Sequence, residues 1–175
     1  MASNQLTNNQ ILLKECVAQE FSESVGYQDE ASFFEFFAAS QILKDYDLSD
    51  EEIENGIVGA GNDGGCDGIY IFLNKNLIMA DQVEDIKAPK ESVIEMVIIQ
   101  SKREVSFKED ALMKWKTISE NLLSLSNSIG DYTARYNEDV LDSYRLFRDL
   151  HAKLLRSRIK LTFRYVYVTY ANEIH

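Results

Sequence analysis

Carboxylate, amide and ammonium groups lie at the ends of two predicted strands in the middle of the sequence. Asp67 comes just before the strand over residues 69–73, and Gln100, Ser101 and Lys102 end a second strand. Because side chains alternate along a strand, Gln100 and Lys102 point to the same face. Hard cations such as Mg²⁺ bind oxygen atoms and retain several waters. Asp67, the Gln100 side-chain oxygen and the Ser101 carbonyl are therefore candidate metal ligands.

A further oxygen ligand comes from Glu35, which lies in a predicted helix over residues 29–44. Two phenylalanines precede Glu35 and two follow it, so the helix is apolar in nearly every direction and should be buried. Most residues on the Glu35 face are small: Ala31, Ser32, Ala38, Ala39 and Ile42. Such a face allows another backbone or a ligand to approach the carboxylate. Glu35 would bind the cation directly or through water.

Lys102 supplies the only cation of this group. An ammonium beside a metal-bound phosphodiester would orient or help deprotonate the attacking water, or stabilise the charge of the pentacovalent phosphate. The structural alternatives are a buried ion pair of Lys102 with Asp67 or Glu35, or a lysine that simply emerges at the sheet edge. The residues alone do not choose between a metal site and these structural roles.

The glycine-rich segment before Asp67 resembles two known ligand-binding patterns but satisfies neither. Gly59, Gly61 and Gly64 match a dinucleotide-binding fingerprint, which requires a helix to follow, whereas here a strand follows. An EF-hand would need glutamate at its twelfth position, where Leu73 lies. The segment is better interpreted as an irregular loop that positions Asp67, with Asp63 capping its backbone.

Hydrophobic periodicity and capping signals predict the remaining elements. They predict a mixed sheet with helices on both sides. The first half of the chain is predicted to hold a helix after Asn8, a short acidic helix capped by Ser49 and Glu52, and a hairpin that turns at residues 74–76 into a strand at 77–80. A loop over 81–92 and a central strand over 93–100 follow. The last predicted elements are a helix opened by a capping box of Ser106 and Glu109 and ended by Gly130, a helix over 137–156 and a strand over 161–170.

Composition restricts the class of protein. The 175 residues suit one domain. Two cysteines are too few for a disulfide framework, and no apolar run approaches the roughly 20 residues of a membrane span. We therefore expect a cytoplasmic protein without a membrane partner.

The charge is unevenly distributed. The net charge of −11 argues against a free-standing nonspecific nucleic-acid binder, because Lys and Arg supply phosphate affinity. Residues 141–175 nevertheless hold seven Lys and Arg against three Asp and Glu. Five of these seven would contact phosphates or form a solvated helix face, and the sequence leaves both interpretations open: Arg145, Arg148, Lys153, Arg156 and Arg158.

Two segments carry a resemblance to known families. The run from Gly61 to Ile69 together with residues 98–103, Ile-Ile-Gln-Ser-Lys-Arg, resembles the catalytic core of PD-(D/E)XK nucleases, in the Mrr-like branch that has Gln in place of the acid. With the Phe-rich helix around Glu35, this core is similar to the N-terminal domain of abortive-infection phage-resistance (AIPR) proteins. The similarity covers residues 29–104. It implies an α/β fold with a restriction-endonuclease-like α-β-β-β-α-β core, a mixed central sheet flanked by helices.

The resemblance also implies a function. It points to an Mg²⁺-dependent (or Mn²⁺-dependent) endonuclease that hydrolyses phosphodiester bonds of DNA, or of RNA, in bacterial defence against phage. Asp67 would be the metal aspartate, Gln100 the metal-side amide, Lys102 the catalytic lysine and Glu35 the helix carboxylate.

The expected organisation is a single nuclease-like domain over residues 1–175 that is a fragment of a longer protein. The expected partner is nucleic acid, DNA before RNA, held with help from a C-terminal domain, and a homo-oligomer is compatible with this picture. The alternative is a catalytically inactive nuclease-like module that binds or senses a partner through its acidic surface.

Overall fold

The computed structural model describes residues 5–171, which form five α-helices and one sheet of four strands. Short 3₁₀ turns connect several of these elements. In chain order the helices and strands are α1 (Asn8–Glu23), α2 (Glu30–Leu43), α3 (Asp50–Asn55), β1 (Gly68–Leu73), β2 (Asn76–Leu77), β3 (Val93–Lys102), α4 (Asp110–Leu122), α5 (Glu138–Leu154) and β4 (Lys160–Thr169).

The sheet is mixed and open, with strand order β2-β1-β3-β4. β1 pairs antiparallel with β2 and β3, and β3 pairs parallel with β4 over ten residues. β3 lies between β1 and β4, which confirms the prediction of a central strand from its continuous apolar run. The prediction of a mixed sheet flanked by helices is confirmed.

Alternation along the strands divides the core into two layers. On one face, Ile71 of β1 and Ile98 of β3 pack with Trp115 of α4 and Leu150 of α5. On the other face, residues of opposite parity pack with α2 and α3: Tyr70, Phe72, Val97 and Ile99. Helices thus cover both faces of the sheet.

The Phe-rich helix α2 is buried as predicted. Its N-cap Asp29 accepts a hydrogen bond from the Ser32 N–H at 2.8 Å. Phe33 and Phe34 are buried in a cluster with Val17 of α1 and with Tyr170. α2 is therefore held between α1 and the sheet, which fixes the position of Glu35.

The prediction for the start of α4 was wrong. No capping box forms at Ser106, because α4 begins at Asp110 and its N-cap Glu109 makes no side-chain hydrogen bond. The preceding segment is instead tied to β4: the Glu104 carbonyl accepts from the Tyr170 N–H at 3.0 Å, and Phe107 packs edge-on against Tyr167. These contacts hold residues 104–107 in an irregular path.

Two other predicted boundaries also differ. α4 ends at Leu122 and does not reach Gly130, and Leu125, which follows the helix, is 71% exposed. The hairpin is tighter than expected, because Asn74 and Lys75 adopt positive φ angles and β2 pairs over two residues only. No helix within residues 5–171 combines the length and apolar character needed to cross a bilayer.

Candidate functional site

The carboxylate of Asp67 is buried where the start of β1 meets the end of β3. The Asp67 N–H donates to the Ile99 carbonyl at 2.8 Å, and Asp67 Oδ2 accepts from the Ser101 N–H at 2.6 Å and from Ser101 Oγ at 3.2 Å. Only 4% of Asp67 is exposed. Burial raises the pKa of Asp67, although the Ser101 hydrogen bond and the charge of Lys102 oppose that shift. The fold therefore holds a carboxylate that a nearby cation would stabilise.

Lys102 lies beside this carboxylate but is not buried. Its Nζ is 3.8 Å from Asp67 Oδ2, and 42% of its side chain is exposed. A half-exposed pair at this distance contributes at most about 1 kcal/mol to stability. The predicted Lys102–Asp67 ion pair therefore forms, but only its carboxylate is buried, and the ammonium lies at the solvent side of Asp67.

Gln100 carries the most unusual polar group of the region. Its side chain is 3% exposed, and within residues 5–171 its Oε1 has no hydrogen-bond partner. Leaving a buried acceptor unpaired costs about 1–3 kcal/mol. An amide oxygen is also a ligand that Mg²⁺ and Ca²⁺ accept. The unpaired Oε1, one residue before the Ser101 that holds Asp67, fits a cation ligand in its chemistry.

Glu35 reaches the same region from α2. Burial first, and then the charges of Asp67 and Asp63, raise the pKa of Glu35 to about 7, while Lys102 lowers it. These interactions place Glu35 in the electrostatic field of Asp67 and Lys102. The loop over residues 59–67 (the glycine loop) lies against this carboxylate: a Cβ on Gly59 would lie 2.9 Å from Glu35 Oε2. A side chain at Gly59 would have to displace Glu35.

The glycine loop owes its path to residues with positive φ, among them Gly61, Gly64 and Gly65. A Cβ on Gly64 would lie 2.7 Å from Ile118 Cδ1, so the loop packs directly on α4. Asp63 Oδ1 accepts from the Gly65 N–H at 2.7 Å, and this contact confirms the predicted backbone cap.

Sequence reasoning missed the two side chains that anchor this loop. Asn137 Nδ2 donates to the carbonyls of Val58 at 2.9 Å and Gly61 at 2.8 Å, and Trp115 Nε1 donates to the Gly65 carbonyl at 2.6 Å. Asn137 was predicted only as the start of a helix, and it does cap α5. These donors lie 50 or more residues from their acceptors, and no local signal in the sequence reveals such a pairing.

Three of the basic residues of α5 are already engaged within the protein. Arg145 Nη1 pairs with Glu138 and Asp142, each at 2.5 Å. Arg148 donates to the Asn127 carbonyl, and Lys153 to a carbonyl of the 81–92 loop. Their contacts favour the solvated-face interpretation over the phosphate-binding one.

The ligand set around Asp67 is poor in charge. Among residues 5–171, no three His, Cys, Asp or Glu side chains are grouped to hold a metal. A cation here would rely on Asp67 and Glu35 as its carboxylates, with Gln100 Oε1, the Ser101 carbonyl and water completing the set.

Comparison with known proteins adds no relative. Neither a protein-family model nor a curated protein nor a solved structure matches this chain. Its function therefore has to be inferred from the geometry of the Asp67 region.

Proposed function

We propose that this protein is a metal-dependent nuclease domain that hydrolyses phosphodiester bonds of DNA, or of RNA, with its site formed by Asp67, Gln100, Lys102 and Glu35. The observation that carries the proposal is the buried, unpaired Oε1 of Gln100, whose neighbour Ser101 holds the buried carboxylate of Asp67. A fold retains such groups at a cost to stability when a ligand satisfies them.

The order of elements supports a restriction-endonuclease-like core. α2, β1, β2, β3, α4 and β4 occur in the order α-β-β-β-α-β, with α3 as an extra helix after α2 and α5 as an extra helix after α4. β4 returns parallel to β3 in a mixed sheet. Together with the motif resemblance, this order favours an AIPR-type nuclease that acts in bacterial anti-phage defence in the cytoplasm.

Each side chain has a distinct task in this proposal. Asp67, Gln100 Oε1 and the Ser101 carbonyl would hold Mg²⁺ or Mn²⁺, with Glu35 directly or through water. When bound, the cation polarises the phosphate and lowers the pKa of a water. Ser101 fixes the orientation of Asp67 through two hydrogen bonds.

The remaining two side chains act on charge and protons. Lys102, half-exposed at the solvent side, would hold a phosphate oxygen and stabilise the charge that develops during attack. Glu35, with a pKa of about 7, can accept or release a proton near neutrality.

The test is cleavage of supercoiled DNA, linear DNA and single-stranded RNA with Mg²⁺, with Mn²⁺ and with EDTA. Lys102→Ala should lower the rate by about 10²–10⁴-fold, as loss of a charge-stabilising or proton-transfer group does. Lys108→Ala is the matched control, because Lys108 pairs with Glu104 at an exposed position and should leave the rate unchanged. Metal-dependent cutting that survives Lys102→Ala at full rate would refute the assigned site.

A second candidate is a nuclease-like module without activity that binds or senses a partner. It is favoured by the shortage of carboxylates around Asp67 noted above. Absence of cleavage with every substrate, together with absence of Mn²⁺ binding, would select this candidate.

A further inference from the structure

A cleft of about 480 Å³ lies between the glycine loop and α4, next to the Asp67 region. Its volume is that of a pocket for a small ligand and suits one nucleotide unit of a strand. The residues that matter for its chemistry are Asp63, Gly65, Asp110, Lys114, Arg135 and Tyr136.

Gly65 lines this cleft and lies next to Gln100 of the candidate site. A Cβ on Gly65 would lie 3.2 Å from Lys114 Cβ and 3.6 Å from Gln100 Nε2. The cleft is therefore the immediate neighbour of the candidate site, and a substrate strand that reaches the site has the cleft beside it. A side chain at position 65 would press on Lys114, and Gly65 also has a φ of +83°.

The cations of the cleft differ in how far they are neutralised. Lys114 Nζ is 3.3 Å from Asp110 Oδ2 in an i,i+4 pair on α4. Arg135 forms no ion pair with any residue in the range 5–171, and its guanidinium carbon lies 5.6 Å from the centre of the Tyr136 ring. The second carboxylate, Asp63, is turned to the Gly65 N–H. Arg135 is therefore a cation held by an aromatic ring and available to an anion.

We propose that this cleft binds the backbone phosphate of the nucleic-acid strand beside the phosphate that is cut, with Arg135 as the main contact and Lys114 as a second. The inference rests on the proposed nuclease function and adds the path of the substrate strand to it. Because Asp110 neutralises part of the charge of Lys114, Lys114 contributes less than Arg135 to phosphate binding in the wild type.

The experiment measures binding of a fluorescent single-stranded 12-mer in EDTA by anisotropy, between 50 and 200 mM salt. Arg135→Ala should weaken binding about fivefold or more at the lowest salt and reduce the salt slope by about 0.7, as expected for one lost contact to a single strand. Arg145→Ala removes the same charge from α5, where Arg145 is paired with two carboxylates, and should leave the affinity within about twofold. Arg135→Lys should restore part of the affinity, and melting temperatures verify that each variant folds.

A gain of binding provides a second readout. Asp110→Asn frees Lys114 and should tighten binding about two- to fivefold. Glu120→Gln makes the same change of net charge on the same helix, in the pair that Glu120 forms with Lys116, and should have little effect.

The outcomes separate this inference from the nuclease proposal. If Lys102→Ala abolishes cleavage but Arg135→Ala binds like Arg145→Ala, the nuclease stands and the cleft assignment is wrong. If Arg135 controls binding but no metal supports cleavage, the cleft assignment stands and the nuclease proposal is wrong. A wild-type protein that does not bind the 12-mer at 50 mM salt would overturn the cleft assignment.

Discussion

The two ends of the β1–β3 pair treat their polar groups in opposite ways. At the hairpin end, Ser92 is buried. Its Oγ donates to the Pro89 carbonyl at 2.9 Å and accepts from Asn74 Nδ2 at 3.0 Å. Asn74 Oδ1 also accepts from the Val93 N–H at 2.9 Å. At the other end, the strands bury a carboxylate at Asp67 and an unpaired acceptor at Gln100.

The comparison separates polar groups that stabilise the fold from groups that the fold tolerates. Because both ends belong to the same two strands, the difference in hydrogen bonding is a difference between the two ends and not between strands. The side chains of Asn74 and Ser92 are satisfied and close the hairpin, whereas the unpaired Oε1 of Gln100 lies at the end where we propose that a cation binds. Substitutions at the two ends should therefore have opposite effects on stability and on activity.

The largest effect is expected for Asp67→Asn. Cleavage should fall by about 10²–10⁴-fold, because the amide no longer offers an anionic oxygen to a cation. The free energy of unfolding at pH 8 should stay equal or rise, since burial raises the pKa of Asp67 and its charge is costly in the folded state. Urea unfolding and cleavage rates measured on one preparation check both parts, and a variant that loses stability and activity together would contradict the separation.

Asn74→Ala should have the reverse effect at the hairpin end. Two side-chain hydrogen bonds are lost and an alanine must adopt the φ of 50°, so the free energy of unfolding should fall by about 2–3 kcal/mol. The cleavage rate of the folded variant should not change. Ala in place of Lys75, which neighbours Asn74 in the turn and is exposed, is the control for general effects of substitution there.

Gln100→Met should stabilise the protein by about 1 kcal/mol in EDTA, because a chain of similar shape replaces a buried unpaired acceptor. Binding of Mn²⁺, followed by titration calorimetry, should weaken by at least about tenfold, since one ligand is lost. A destabilised variant would show that Gln100 is satisfied in solution and serves the fold.

Glu35→Gln should change the free energy of unfolding by a small amount that depends on pH. The pKa of Glu35 is about 7 in the folded protein, above its ordinary value. Between these two pH values the carboxyl group is protonated in the folded state and ionised in the unfolded state. Wild-type stability should therefore fall as pH rises from about 4.5 to about 7 through this group.

The variant should lack that fall and be more stable than wild type at pH 8 by about 1 kcal/mol, a value reduced from the full shift because Glu35 is only half-buried. Urea unfolding at pH 5 and pH 8 in EDTA measures the difference. Equal differences at both pH values would show that the carboxylate does not titrate abnormally.

The local part of the fold and of the candidate site could be predicted from the sequence. The apolar run before Gln100 specifies a central strand, and the Phe-rich surroundings of Glu35 specify a buried helix, because burial on all sides leaves no polar face. The structure places Asp67 in contact with Ser101 and Lys102 and places Glu35 in their field. Strand ends and helix faces follow from short-range periodicity.

The remaining features depend on contacts between distant segments. Asn137 and Trp115 anchor the glycine loop, and a capping signal at Ser106 is overridden by contacts with β4. The cleft at Arg135 exists only because that loop folds onto α4. Local propensity does not encode such long-range pairings, so they required the three-dimensional structure.

The most direct test of the central claim is anomalous diffraction from crystals of the protein soaked in Mn²⁺. We expect one ion bound at about 2.0–2.3 Å by the Asp67 carboxylate and by Gln100 Oε1, the range for hard cations with oxygen ligands. An ion bound elsewhere, or a Gln100 Oε1 that an ordinary protein or water donor satisfies while no ion binds at millimolar Mn²⁺, would contradict the assignment of this end of the sheet as a metal-dependent site.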